Sequence, residues 1–341
     1  MIGNRIKLIR QAHALSLQDL SEQLAANADL SIHRSALSGY ETGRTVPNAT
    51  ILKLLSQELG VPVDFFEQPD WTDFSLEYFY CPKVVPQRQQ ETDAYVQVKL
   101  ERHRTLDQLL GYRSKWKRPE VQHLTADQED VVELLAKQLR EEWNLGVFPI
   151  ASVCGLLESI GWYLLVTPNN LNRVELNSTE LCGYEQSSGM PFILYSSSYF
   201  PDEIRYKLLR FLGYAYLRGD TEEQTEALVS HFARAMLFSH EQVVAEVGLQ
   251  RTSITERELD LLKQKYGMSK RCIMYRLYEL GIISPAVYKS FTAYLHQNLF
   301  LKREGFMGQP FSFEVPTAYD LKLLRAQSEK LLTADQNAFF F

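Results

Sequence analysis

The sequence lacks several features that mark common classes of protein. It holds only four cysteines among 341 residues, and they are scattered, with no C-x-x-C pair. A disulfide-stapled secreted fold or a cysteine-based zinc site needs a denser arrangement. No run of eighteen apolar residues occurs, so the pattern of a membrane-spanning helix is missing. These absences predict a cytoplasmic protein with no membrane partner.

Positive charge is also scarce. The chain carries a formal net charge of −6, and residues 1–67 hold six basic and seven acidic residues. Non-specific attraction to nucleic acid depends on an excess of Lys and Arg side chains that neutralise phosphates. Any binding to nucleic acid must therefore come from a specific surface and not from bulk charge.

Histidines at metal-ligand spacing are absent as well. The seven histidines are isolated along the chain. His231 follows Glu226 by five residues, which places the two about 140° apart around a helix, too far to hold one ion easily. We expect a surface or core histidine there, no metal, no cofactor and no catalytic residue.

The most informative stretch that is present runs from Leu15 to Pro47. Ser16 is suited to cap a helix, with Asp19 three residues later, and leucines recur at helical spacing after it. A second helix is predicted from Ile32 or His33 to about Thr42, and Gly43 is placed to end it. The pattern predicts two short helices joined by a turn, the second rich in small polar and basic residues.

These residues resemble the helix-turn-helix of the XRE/Cro/phage-repressor family. The resemblance covers Met1 to about Phe66 and departs from the common form in one place, where about six extra residues, Ala26–Ser31, lengthen the turn. The landmarks that match are Arg10, Ser16, Gln18, Leu20, Ser38, Glu41, Gly43, Pro47 and the closing Leu59–Val63.

The resemblance implies a role for each of these polar positions. Side chains on the early turns of the second helix read base edges, and those flanking it contact phosphates. It also implies a structural ion pair between Arg10 and Glu41, and we predict a homodimer on a two-fold operator in double-stranded DNA. The base-reading candidates are Arg34, Ser35 and Ser38, with His33 a weaker one, and the phosphate candidates are Gln18 and Arg44.

The central region, about Asp127 to Ser239, resembles the ImmA/IrrE metallopeptidase-like domain. That family carries zinc on an H-E-x-x-H helix, but the aligned segment here places Arg210 and Tyr214 at the two ligand positions and Phe211 at the general base. Only the third ligand of the family, a glutamate, is matched here, by Glu226. Because a guanidinium cannot ligate zinc and a phenyl ring cannot move a proton, we predict that the chain is not an enzyme. We further predict that Arg210 pairs with Glu226 while Tyr214 adds a hydrogen bond, the alternative being that both charges face solvent.

The remaining segments are predicted to be folded. Trp71–Tyr80 is too apolar for a disordered linker, and Phe339–Phe341 is expected to dock on this chain or on a partner. Lys270, Arg271 and Arg276 follow a second helix-turn-helix-like pattern, which indicates either phosphate contacts or ordinary packing. The predicted domains are 1–68, the DNA-binding head; 69–125, a connector with a helix at 94–112; 126–250, the peptidase-like domain; and 251–341, a helical end.

Together these observations predict a mainly α protein. A five-helix XRE-type head precedes an α+β zincin-like domain with a small sheet and a helical C-terminal region. The expected function is transcriptional regulation, with repression favoured, and the peptidase-like domain acting as a sensor, dimerisation or partner-binding domain. Two alternatives remain: an antitoxin that regulates its own operon, using Trp71–Tyr80 and the phenylalanine end as partner surfaces, and a metallopeptidase that cleaves a repressor.

Overall fold

The computed structural model describes residues 2–27, 32–114, 116–125, 128–167, 180–297 and 314–332. The chain is mainly helical and forms two compact units. Residues 1–115, 165–196 and 317–341 make the first unit, and residues 116–164 and 197–316 make the second. Within the described part of the chain, none of the helices combines the length and the hydropathy needed to cross a bilayer.

The first unit begins with the predicted helical head. It consists of α1 (Ile2–Ala12), α2 (Leu17–Asn27), α3 (Arg34–Glu41), α4 (Ala49–Glu58) and a 3-10 helix at Val63–Glu67. The predicted five helices are thus four α-helices and one short 3-10 helix. Part of the lengthened turn, residues 28–31, lies outside the described residues.

Local sequence explains where these helices begin and end. The Ser16 hydroxyl accepts a hydrogen bond from the Asp19 amide at 3.1 Å, and the Asp19 carboxylate accepts one from the Ser16 amide at 2.8 Å, so each satisfies an orphan donor of the other. Gly43 has a left-handed φ of 72° just after α3, so the helix stops there as predicted. The capping signals read from the sequence are confirmed.

The connector helix α5 (Pro86–Leu110) braces this head. It packs on α1, where Arg5, almost fully buried, makes a two-pronged ion pair with Glu101 at 2.9 Å for both contacts. The sequence predicted a helix at 94–112, but the helix begins eight residues earlier, at Pro86. Proline is favoured at the first position of a helix. Its end is explained by Gly111, whose φ is 70°. Helix α14 (Ala318–Ser328) packs on α5 as well.

The described residues include a four-stranded sheet, in keeping with the small sheet that the sequence predicts, and one of its strands comes from the predicted connector. Its order is β1 (Leu76–Tyr80), β4 (Leu181–Glu185), β5 (Met190–Ser196) and β3 (Tyr163–Thr167), with β1–β4 and β4–β5 antiparallel. The apolar segment Trp71–Tyr80 therefore supplies a strand, and Trp71 lies under the guanidinium of Arg104 at 4.4 Å. Because these side chains are already partly covered, the segment is a weaker partner surface than the sequence indicated.

The second unit is built mainly of helices around α8 (Pro201–Tyr216) and α9 (Glu222–Leu237), which pack closely on each other. A short parallel pair, β2 (Gln122–His123) and β6 (Leu217–Arg218), completes it. The helices are α6 (Glu129–Glu142), α7 (Val153–Ser159), α8 (Pro201–Tyr216), α9 (Glu222–Leu237), α10 (His240–Val247), α11 (Glu256–Tyr266), α12 (Lys270–Glu279) and α13 (Pro285–Gln297).

The cationic side chains of α12 decide between phosphate contacts and ordinary packing. Arg276 is fully buried and Lys270 is almost buried, with its ammonium against Glu256 and Asp260. Neither side chain can reach a phosphate. The prediction of ordinary packing is therefore confirmed for both residues, and the alternative of phosphate contacts is wrong for them. Of the three residues only Arg271 is exposed. The predicted docking of Phe339–Phe341 lies outside the described residues.

Candidate nucleic-acid interface and a buried charge network

The second helix of the head is held firmly against its neighbours. Leu37 is fully buried in the core of the domain, and the hydroxyl of Ser21 in α2 donates to the carbonyl oxygen of Ile32 at 2.7 Å. Gly3 of α1 lies against the carbonyl oxygen of Tyr40, which a Cβ at that position would approach to 2.3 Å. Helix α3 is therefore fixed from both sides, and its outward face is presented on a rigid support.

That outward face carries the predicted base-reading residues. His33, Arg34 and Ser35 are exposed, and Ser38 is partly exposed one turn later. Because residues three and four apart lie on one face of a helix, Ser38 follows both Arg34 and Ser35 on the same surface. Arg34 makes no hydrogen bond or ion pair with any residue that the structure describes, so its guanidinium is available for a base edge.

The two side chains predicted to contact phosphates differ in the hydrogen bonds that they already make. Arg44 is exposed and lies over the end of α3, where its Nε donates to the Thr42 hydroxyl at 3.1 Å and its Nη2 to the Ser38 hydroxyl at 3.4 Å. The Gln18 amide donates to the carboxylate of Glu22 at 2.7 Å. A phosphate bound at Gln18 would be repelled by the negative charge of that carboxylate.

Arg10 and Glu41 form the structural pair that the family resemblance implied. Arg10 donates from Nε to Oε1 of Glu41 at 2.6 Å and from Nη2 to Oε2 at 2.9 Å, and both side chains are nearly buried. The third guanidinium contact is to the carbonyl oxygen of Leu15. The pair links α1 to α3 and leaves neither charge for DNA.

In the second unit, three polar residues meet at the positions where the resembled family would hold its metal. Arg210 donates to one oxygen of the Glu226 carboxylate, and the hydroxyl of Tyr214 donates to the other. Phe211 is buried in the core. The predicted contact between Arg210 and Glu226 is thus present. This donor set does not fit a zinc ion, because the single carboxylate has both oxygens engaged and the other positions offer no ligand nitrogen.

A double-mutant cycle measures how much this pair contributes to stability. Since the side chains of Arg210 and Glu226 are 21% and 44% exposed, solvent screens much of their attraction. We expect Arg210→Met and Glu226→Gln to show a coupling of about 0.5–1 kcal/mol in the free energy of unfolding measured by urea denaturation. Additive effects of the two substitutions would show that the pair contributes nothing.

A larger network of charges, which the sequence did not reveal, lies deeper in the same unit. His231 of α9 is buried between two carboxylates: its Nε2 lies 2.6 Å from Glu133 of α6, and its Nδ1 lies 2.9 Å from Glu279 of α12. The second contact is poorly aligned for a hydrogen bond and acts mainly through charge. Arg276 donates to Glu133, and Arg234 donates to Glu279.

The network shifts the titration of its members. Burial opposes ionisation of Glu133 and Glu279, but the hydrogen bonds and positive charges of the arginines and of His231 outweigh it and lower the pKa of each carboxyl to about 2. Burial alone would lower the pKa of His231. The two carboxylates overcome that effect and raise the pKa above its ordinary value.

The raised pKa of His231 gives the stability of the protein a defined pH dependence. The stabilisation from the protonated ring is complete below the unfolded-state pKa of about 6.5 and is lost as the pH rises through the higher folded-state pKa. We expect the difference in free energy of unfolding between wild type and His231→Gln to shrink as the pH rises from below about 6.5 into the mildly alkaline range. A difference that is constant over this range would contradict the assignment of a charged ring.

Comparison with known proteins bears on the first of these two sites. Searches of curated proteins and of solved structures returned no significant match. The ImmA/IrrE-like reading of residues 126–250 consequently stays a prediction. Residues 6–66 match the helix-turn-helix family model, so this part of the chain is similar to the XRE-type helix-turn-helix domains that are typical of DNA-binding transcriptional regulators.

Proposed function

We propose that the chain is a repressor that binds a specific operator in double-stranded DNA as a homodimer. The observation that carries the proposal is the exposed face of α3, where Arg34, Ser35 and Ser38 lie together on a helix fixed by α1 and α2. The guanidinium of Arg34 offers two parallel N–H donors, which suit the edge of a guanine in the major groove. His33 borders the same surface.

The charge of the head supports a dimer. Residues 1–67 have one more acidic than basic residue, so few phosphates are neutralised by each copy and the non-specific affinity of one head is low. Two heads on one duplex would double the specific contacts, with half-sites about 34 Å apart.

Selection of binding sites from a pool of random duplexes tests this proposal. The full-length protein is expected to enrich one motif made of two inverted half-sites about one helical turn apart. Failure to enrich any motif would overturn sequence-specific binding. Enrichment of a single half-site, bound by a monomer at nanomolar affinity, would leave DNA binding standing and overturn the dimer.

The second unit is proposed to act without catalysis, as a sensing, dimerisation or partner-binding domain. The support is chemical: Arg210, Phe211 and Tyr214 provide neither a metal ligand set nor a general base at the positions where the resembled family has them. Metal analysis after incubation with zinc is expected to find no stoichiometric zinc. One zinc per chain would favour the metallopeptidase alternative.

A further inference from the structure

A cavity in the second unit has the size and the lining of a small-molecule site. Its volume is about 420 Å³, and it lies where α8 meets the beginning of α12 and a side chain of α13. Pockets that hold small organic ligands begin at about 300 Å³, whereas a simple inorganic anion needs far less space. The lining holds aromatic rings, cationic groups and carboxylates, and each kind restricts what the cavity can accept.

The aromatic part is a cluster of tyrosines. Tyr206, Tyr275 and Tyr288 line the cavity, and the rings of Tyr275 and Tyr288 pack edge to face with centroids 5.6 Å apart. Tyr278 stacks behind Tyr288 at 5.1 Å, so the wall is rigid. Tyr278 covers one face of Tyr288, and the guanidinium of Arg234 lies over Tyr275 at 4.4 Å. The remaining faces of these rings are surfaces on which a flat ring can stack, a contact typical of bound nucleobases.

The cationic part contains an arginine that the protein itself does not use. Arg210 and Arg234 line the cavity, but their charges are engaged by Glu226 and Glu279. Arg271 also lines it, is exposed, and makes no ion pair or hydrogen bond with any residue in the described part of the chain. Lys207 adds a fourth cationic group.

The backbone around Arg271 adds to the positive potential. Arg271 is the second residue of α12, a ten-residue helix whose first turn holds no acidic side chain. The N-cap Ser269 lines the cavity, and its hydroxyl accepts a hydrogen bond from the amide of Cys272, so the first turn of α12 begins at the cavity wall. Helix N-termini of this kind favour phosphate groups, here in addition to the arginine and the lysine.

Carboxylates complete the lining. Asp202 and Glu203, in the first turn of α8, face the same cavity. They would repel a bare anion, but they are suitable acceptors for the hydroxyl groups of a sugar, as carboxylates are in nucleotide sites. Cys272 is a wall residue and not a nucleophile, since burial raises the pKa of its thiol to about 12.

We propose that this cavity binds a nucleoside monophosphate. The base stacks on the tyrosine cluster, the ribose hydroxyls donate to Asp202 or Glu203, and the phosphate is bound by Arg271, Lys207 and the start of α12. A ligand with these three parts accounts for all three kinds of side chain in the lining. The site is separate from the proposed DNA-reading helix, and the inference stands whether or not that helix binds DNA.

Isothermal titration calorimetry of the full-length protein tests the proposal with defined probes. The four ribonucleoside monophosphates, the corresponding nucleosides and inorganic phosphate are titrated separately. At least one monophosphate is expected to bind at least tenfold more tightly than both its nucleoside and inorganic phosphate. No binding of any monophosphate would overturn the proposal. Equal binding of the nucleoside or of phosphate alone would overturn the assigned ligand class.

Two arginine variants make the location testable. Arg271→Ala is expected to weaken binding of the monophosphate at least tenfold while leaving the Tm unchanged, because the side chain is exposed and unpaired among the described residues. Arg257→Ala removes the same charge from an exposed position on α11 that does not line the cavity, and it should bind like wild type. Wild-type affinity in Arg271→Ala, or an equal loss in both variants, would show that the ligand binds elsewhere.

Discussion

Replacing Arg34 with alanine lowers the affinity of the protein for its selected DNA site by about 1–3 kcal/mol, which is about 5- to 150-fold. The side chain is exposed at the first position of α3 and forms no bond with a described residue, so its removal costs the free protein almost nothing. In the complex it removes a two-pronged contact to a base edge. Discrimination at one base pair of each half-site should therefore be lost along with affinity.

Fluorescence anisotropy with the selected duplex measures this effect, and Arg257→Ala serves as the matched control. Both variants lose one exposed arginine and the same charge, but Arg257 lies on α11 of the second unit. A similar loss in the two variants would mean that Arg34 acts only through the net charge of the chain. Wild-type affinity in Arg34→Ala would remove this residue from the interface.

Arg276→Ala is expected to cause the largest loss of stability, about 3–5 kcal/mol in the free energy of unfolding. Arg276 has no exposed surface, and it donates to the Glu133 carboxylate and to the carbonyl oxygen of Phe238 at 3.0 Å. Without the guanidinium, Glu133, whose side chain is about three-quarters buried, keeps only His231 as a main partner. A buried charge that has lost its partner costs far more than the pair gains when intact.

Urea denaturation provides the measurement, with Arg271→Ala as a control in the same helix. Arg271 lies five residues earlier in α12, is exposed, and should change the free energy of unfolding by about 0.5 kcal/mol or less. Equal stabilities of the two variants would contradict the view that the charge network supports the second unit.

Sequence patterns predicted the local features of the head well because those features are local. The capping of α2 by Ser16 and Asp19, and the end of α3 at Gly43, depend on residues within one turn. The pairing of Arg10 with Glu41 joins two helices, and the family resemblance was needed to place it. The contact between Arg210 and Glu226 followed in the same way from a resembled helix pair.

Long-range features were missed for the corresponding reason. Strand β1 pairs with β4, more than one hundred residues away, and nothing in Leu76–Tyr80 specifies that partner. In sequence the nearby acidic residue for His231 is Glu226, whereas its actual partners Glu133 and Glu279 lie on two other helices. One boundary that was missed could have been predicted from the sequence. Proline is a favoured first residue of a helix, and Pro86 marks the start of α5.

The central claim, that the head reads DNA sequence, is tested most directly by comparing a selected and a scrambled duplex across a salt series. We predict that wild-type protein binds the selected duplex at least about 10³-fold more tightly than the scrambled one, and that this ratio persists as the salt concentration rises. Equal affinities for the two duplexes, both disappearing as salt is added, would contradict the claim.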